Sequence, residues 1–218
     1  MESATVSTRG RIGNRPDADP TASAISQIGW TPADPAPLGL AGFAMTTFVL
    51  SMFNAQLVGS AGEPVVLGLA LAYGGLAQLL AGMWEFRNSN TFGAVAFTSF
   101  GAFWLSFAVL VAVFAPQIPA ASAGSAVGLY LWAWAIFTTY MLIASLRTTG
   151  AVALVFLLLS ATFILLAAGN SGDNTDVIKW GGYIGLATAV AAWYASFAAV
   201  VNSTFKRTIL PVFPLTRE

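Results

Sequence analysis

Ala151-Val152-Ala153-Leu154-Val155-Phe156-Leu157-Leu158-Leu159-Ser160-Ala161-Thr162-Phe163-Ile164-Leu165-Leu166-Ala167-Ala168 contains only two polar residues, Ser160 and Thr162. A soluble helix of this length carries a polar face, so a run that is apolar all round belongs in lipid. At 1.5 Å of rise per residue, about 20 residues cross a hydrocarbon core of about 30 Å. Five further stretches have the same character, and the expected spans are 37–59, 64–84, 91–114, 126–146, 150–169 and 177–202. Turn-forming or charged segments separate them: Gly59 to Pro64, Glu85 to Asn90, Pro116 to Gly124, Arg147 to Gly150 and Gly169 to Asn174. Composition agrees. Of 218 residues, 57% are apolar and 8% charged, against about 25% charged in an ordinary soluble domain. The sequence therefore predicts an all-α integral membrane protein with six transmembrane helices.

Residues 1–33 mix Arg9, Arg11, Arg15, Asp17 and Asp19 with Ser, Thr, Pro and Gly and hold no sustained apolar run. Such a stretch cannot bury enough surface to fold alone and is expected to be a disordered tail. A six-helix domain over 34–204 and a C-terminal tail over 205–218 complete the expected organisation. With the N-terminus inside, Arg9, Arg11, Arg15, Arg87, Arg147, Lys206, Arg207 and Arg217 are cytoplasmic, against Lys179 alone outside. Because basic residues accumulate on the cytoplasmic side, both termini are expected there.

The chain has no cysteine and no histidine. Disulfides, thiol chemistry, His-ligated metals and a histidine proton relay are thereby excluded, and no cofactor or metal is expected. The formal net charge of zero gives no reason to expect nucleic-acid binding. Without His or Cys, no nucleophile and base pair suggests an enzyme. A retinal-binding protein needs a lysine in the middle of its last helix, whereas Lys179 lies at a span end.

The middle of every expected span lacks Asp, Glu, Lys and Arg, so no chain of titratable side chains could hand a proton across. Glu85 and Arg87 read as a solvated pair at a span end. The spans offer neutral groups instead: Thr46 and Thr47 on the first, Gln78 on the second, Thr91 and Thr98 on the third, Tyr130 and Thr138 on the fourth. Neutral donors together with a helix N-terminus can hold a small weak-acid anion loosely enough to release it. The first span offers such a terminus. In Asp34-Pro35-Ala36-Pro37-Leu38-Gly39-Leu40 the second proline fits a first helical turn, so an abrupt helix start exposes unpaired N–H groups. Phe43 and Phe100, each beside small residues, are candidates for a constriction. Gly124-x3-Gly128 and Gly181-x3-Gly185 place small residues one turn apart, a spacing that serves close helix packing within or between chains.

The same residues resemble a known family. Asp34 to Leu40, followed by Gly42-Phe43-Ala44-Met45-Thr46-Thr47, is similar to the Asn-Pro-Ala-Pro-Leu-Gly-Leu and Gly-Phe-Gly-Met-Thr-Thr signature of the acetate uptake transporters, or succinate/acetate permeases. Asp34 replaces the family's Asn and Ala44 its second Gly. The likeness continues through Gly74-Gly75-Leu76-Ala77-Gln78, Ala81 to Phe86, Asn90-Thr91-Phe92-Gly93, Ala96 to Gly101, Leu165 to Asn170 and Arg207 to Pro211.

The resemblance implies six helices around a pore in each subunit, a homo-hexamer, and plasma-membrane transport of acetate, possible succinate included, as a channel or a proton-linked carrier. The family's Phe/Tyr/Leu constriction maps onto Phe43, Phe100 and Leu159, so this chain lacks the Tyr hydroxyl. A more apolar aperture disfavours a dianion such as succinate over acetate. The substrate-binding candidates are Asp34, Pro35, Leu38, Gly39, Thr46, Thr47, Gln78, Asn90, Thr91, Thr98, Tyr130, Thr138 and Ala192, the last at the family's specificity position on the sixth span. An ammonium or ammonia path is the alternative reading, although the histidines of dedicated ammonium channels have no counterpart here.

Overall fold

In lipid every backbone polar group must find its partner within the chain, which leaves helices as the economical solution for each apolar run. A computed structural model describes residues 32–216; the expected N-terminal tail falls outside them except for its last two residues. Among the described residues there are six helices long and apolar enough to cross a membrane: α1 Ala36–Asn54, α2 Ser60–Arg87, α3 Thr91–Gln117, α4 Ala120–Ser145, α5 Gly150–Ser171 and α6 Thr175–Phe205. They make this an all-helical, multi-pass membrane protein. Polar side chains cap the starts of α5 and α6. Asn174 accepts hydrogen bonds from the N–H groups of Asp176 and Val177, and Thr149 accepts from Val152 N–H at 3.2 Å.

Four helices stop in the same way. After α1, α2, α5 and α6 the chain passes through a left-handed residue, Gln56, Ser89, Asp173 and Lys206, with φ between 49° and 58°. The next N–H then reaches back five residues, as in Leu57 N–H to Met52 O and Asn90 N–H to Glu85 O. This closure satisfies carbonyls that would otherwise be orphaned at the membrane boundary. None of the four is glycine. α1 consequently ends at Asn54, five residues before the hydropathy limit at 59. Within α2, a π-turn spans Ala72–Ala77 around Gly74 and Gly75. It takes up an extra residue and so reorients the helix on either side.

The helices form a closed bundle in the order α1, α6, α5, α4, α3, α2 and back to α1. Most seams are backbone-close. A Cβ on Gly42 would fall 2.5 Å from Tyr73 O, one on Gly101 2.6 Å from Leu79 N, and one on Gly181 2.8 Å from Leu166 Cδ2. Gly128 lies against Ser171 and Gly185 against Ser51, so the glycine spacings read from the sequence serve contacts within the chain. The α3–α4 seam differs. There the backbones stay apart and rings fill the gap, with Phe103 stacked on Tyr130 at 6.0 Å and edge-on to Trp134 at 5.1 Å.

Beyond Phe205 the chain folds back on the start of α5. Gly150 N–H donates to Phe213 O at 2.7 Å, Ala151 N–H to Val212 O at 3.2 Å, and Leu215 N–H to Thr148 O at 3.0 Å. The side chain of Asn202 clamps this segment by accepting from the N–H groups of Ile209 and Leu210 and donating to Leu210 O.

Gly182 is the tightest test of the α1–α6 seam, because a Cβ there would collide with the backbone of Asn54 and Ala55. Gly182→Val is expected to destabilise the bundle by about 1–3 kcal/mol through overpacking, visible as a lowered melting temperature in detergent. The exposed Gly68→Ala, with nothing near its Cβ, is expected to leave it unchanged.

Candidate functional site

α1 carries glycine where it meets its neighbours, and that close approach projects Phe43 into the centre. Gly39 sits under the ring of Phe97, and Gly42 under Tyr73 O. Phe43, 4% exposed, meets Phe100, 3% exposed, with ring centroids 5.7 Å apart. Phe100 also contacts Phe137, Phe156, Trp134 and Phe163 at 5.4, 6.0, 6.1 and 6.4 Å. Leu159 of α5, 3% exposed, belongs to the same buried cluster. Three residues expected at a constriction thus lie in one apolar plug.

On one side of that plug is a cavity of about 240 Å³. A water's share of liquid volume is about 30 Å³, so the space suits several waters or one small organic ion. Phe43, Leu159, Phe163 and Phe103 are among its apolar walls. Its polar lining comes from Thr47, Ser51 and Asn54 of α1, Glu63 of α2, Tyr130 of α4, and Thr162 and Asn170 of α5. These residues lie toward the ends of the helices opposite the described chain ends. Tyr130 Oη is already engaged, donating to Phe103 O at 3.2 Å and sharing a 2.7 Å hydrogen bond with Ser106 Oγ. Thr162 donates to Leu158 O and lies 3.2 Å from the hydroxyl of Thr188.

Six buried polar atoms have no hydrogen-bond partner among the described residues: Thr47 Oγ1, Gln78 Oε1, Glu85 Oε1, Thr98 Oγ1, Trp104 Nε1 and Ser160 Oγ. Each such atom costs about 1–3 kcal/mol, so a cluster of them beside a cavity calls for a reason. Thr47 and Trp104 border the cavity directly. Trp104 Nε1 can only donate and Thr47 Oγ1 can donate, but both atoms themselves are closed off from a water-sized molecule in the cavity.

The other sequence candidates divide. Thr46 donates to Gly42 O at 2.9 Å and Thr138 to Trp134 O at 2.7 Å, so both hydroxyls serve their own helices. Asn90 caps α3, accepting from Gly93 N–H at 3.0 Å. Thr91 and Leu38 are exposed, and Ala192 is fully buried. Asp34 Oδ1 accepts from Ala36 N–H at 2.9 Å and so covers one of the free donors at the start of α1, which follows directly on Pro35. Asp34, Pro37 and Leu38 line a separate groove with Tyr73 and Ser196, away from the cavity. Glu85 corrects the expectation of a solvated pair. It is 1% exposed, one oxygen accepts from Asn90 Nδ2 at 3.0 Å, and Gly93 packs against its carboxylate. The two-residue spacing to Arg87 puts the side chains on different faces of a helix, and a hydropathy reading cannot show which face turns inward. Ser51 and Asn54 were legible as polar groups of the first span, whereas nothing in the sequence marks Glu63, Asn170 and Trp104 as more than members of spans or loops.

The adjacent threonines of α1 separate structural from free hydroxyls. Thr46→Val removes an intrahelical hydrogen bond and is expected to lower stability by about 0.5–1.5 kcal/mol. Thr47→Val removes an unpaired hydroxyl at nearly constant volume and is expected to leave stability equal or higher. Thermal unfolding of both variants in detergent checks the contrast.

The profile of the GPR1/FUN34/yaaH family matches residues 19–217. Acetate permease A of Emericella nidulans is 45% identical over 195 residues, covering 83% of this chain and 65% of the relative. Ammonia transport outward protein 2 of Saccharomyces cerevisiae is 44% identical, covering 78% of this chain and 62% of the relative. The chain thus spans about two thirds or less of these fungal proteins. The succinate-acetate/proton symporter SatP of Escherichia coli is 39% identical over 182 residues, covering 83% of this chain and 95% of the relative. A solved structure of the bacterial acetate channel SatP superposes with a TM-score of 0.78 at 38% identity, covering 84% of this chain and 99% of that one. With its profile match running through all six helices, this chain belongs to the GPR1/FUN34/yaaH family.

Proposed function

We propose that this protein carries acetate and similar small monocarboxylates across the plasma membrane through the path that Phe43, Phe100 and Leu159 close. The observation that supports it most is a small cavity lined by the neutral groups of Ser51, Asn54, Tyr130 and Asn170, immediately beside the buried cluster of Phe43, Phe100 and Leu159. A carboxylate would meet those neutral groups while its methyl group rests on Phe43 and Leu159. Leaving would cost little, because neutral donors bind an anion more weakly than Lys or Arg. The names of the relatives, acetate permease A and SatP, agree with a carboxylate cargo.

In this reading the termini are cytoplasmic, as the basic residues suggest, and the cavity with Glu63 faces outward. The resemblance supports assembly as a homo-hexamer. Protons enter the balance with the substrate or through water, since the spans carry no relay of titratable side chains through their middles. Gln78, buried at the level of Gly42, is a further substrate contact once the plug opens.

The experiment is uptake of labelled acetate and, separately, of labelled methylammonium into proteoliposomes. Acetate uptake above protein-free liposomes is expected, with Phe43→Ala raising it severalfold and admitting larger monocarboxylates, because removing a ring widens a dry aperture. Methylammonium flux without acetate flux would favour the ammonia reading that one relative's name suggests. Unaltered flux and selectivity in folded Phe43→Ala would show that this ring only packs.

A further inference from the structure

We propose that Glu63 sets the charge limit of the path, so that monocarboxylates enter the outer cavity and dicarboxylate dianions are turned away. The proposal rests on the carboxylate-transport reading and specifies which members of that class pass. Glu63 is the one charged residue lining the cavity. Its neighbours there, Asn54 and Asn170, are neutral amides, and the walls beyond them are apolar. Lys179, the single basic residue on that side of the bundle among the described residues, does not line the cavity. An anion approaching the plug therefore meets a carboxylate and no compensating cation among the described residues.

Low-dielectric walls concentrate the field of that carboxylate within the cavity. A dianion feels twice the repulsion of a monoanion. At a separation of ~7 Å, each added unit of charge lowers occupancy about threefold even with the screening of bulk water, and more in a drier cavity. This charge filter is separate from the dryness of the aperture, because it acts in the vestibule before any ring moves.

The test compares labelled succinate and labelled acetate uptake in proteoliposomes at pH 7.5, where the dicarboxylate is a dianion, for wild type, Glu63→Asp, Glu63→Gln and Glu63→Lys. The succinate-to-acetate ratio should rise about threefold in Glu63→Gln and about tenfold in Glu63→Lys, and stay near wild type in Glu63→Asp. Equal ratios in all four proteins, with acetate still transported, would overturn the charge filter and leave the transport reading standing. If Glu63→Lys does not fold, the Gln and Asp variants alone decide. A wild-type protein that moves no acetate would overturn both.

Discussion

Phe43 and Phe100 meet ring against ring at 5.7 Å, and both the packing of the bundle and the proposed path depend on that contact. Phe100 touches five aromatic rings in all, from α1, α4 and α5. Those contacts replace backbone proximity between α3 and α4, the one seam where helices stand apart. Small residues elsewhere bring α1, α2, α5 and α6 close enough that the rings have a defined space to fill. In the proposed function, turning rings in that space would open the path without breaking any backbone hydrogen bond.

The polar groups complement this arrangement. Where hydroxyls bond their own helix, as in Thr46, Thr138 and Thr139, they add nothing to the path. Where they remain unpaired, as in Thr47, the fold carries a cost that only a partner from outside the described chain would remove. A structure optimised for stability alone would have Val and Phe at positions 47 and 104.

The six helices were legible because uninterrupted apolar length is a strong signal, and the resemblance pointed to Phe43, Phe100 and Leu159, which the fold gathers in one buried cluster. The facing of each helix was not. α4 and α6 are apolar on every side, so periodicity gives no inward direction, and neighbours alone decide that Leu131 and Ala192 point in while Leu129 and Val190 point out. Glu85 illustrates the same blindness, since its burial depends on Gly93 and Asn90 of the next helix. The left-handed stops at Gln56 and Ser89 carry no composition signal, because residues other than glycine occupy strained backbone there for the sake of closing the helix. Glu63 was visible as a loop charge, but only the fold brings it to the cavity beside Asn54 and Asn170.

The absence of native cysteine makes the barrier directly measurable. A single Ser51→Cys on the cavity side of Phe43 can be exposed to a small membrane-impermeant thiol reagent in right-side-out and in inside-out membrane vesicles. If Phe43, Phe100 and Leu159 close the resting path, Ser51→Cys reacts from one face only, and Phe43→Ala in the same background opens it to the other. Equal reaction from both faces with Phe43 intact would contradict the closure of the path at these rings.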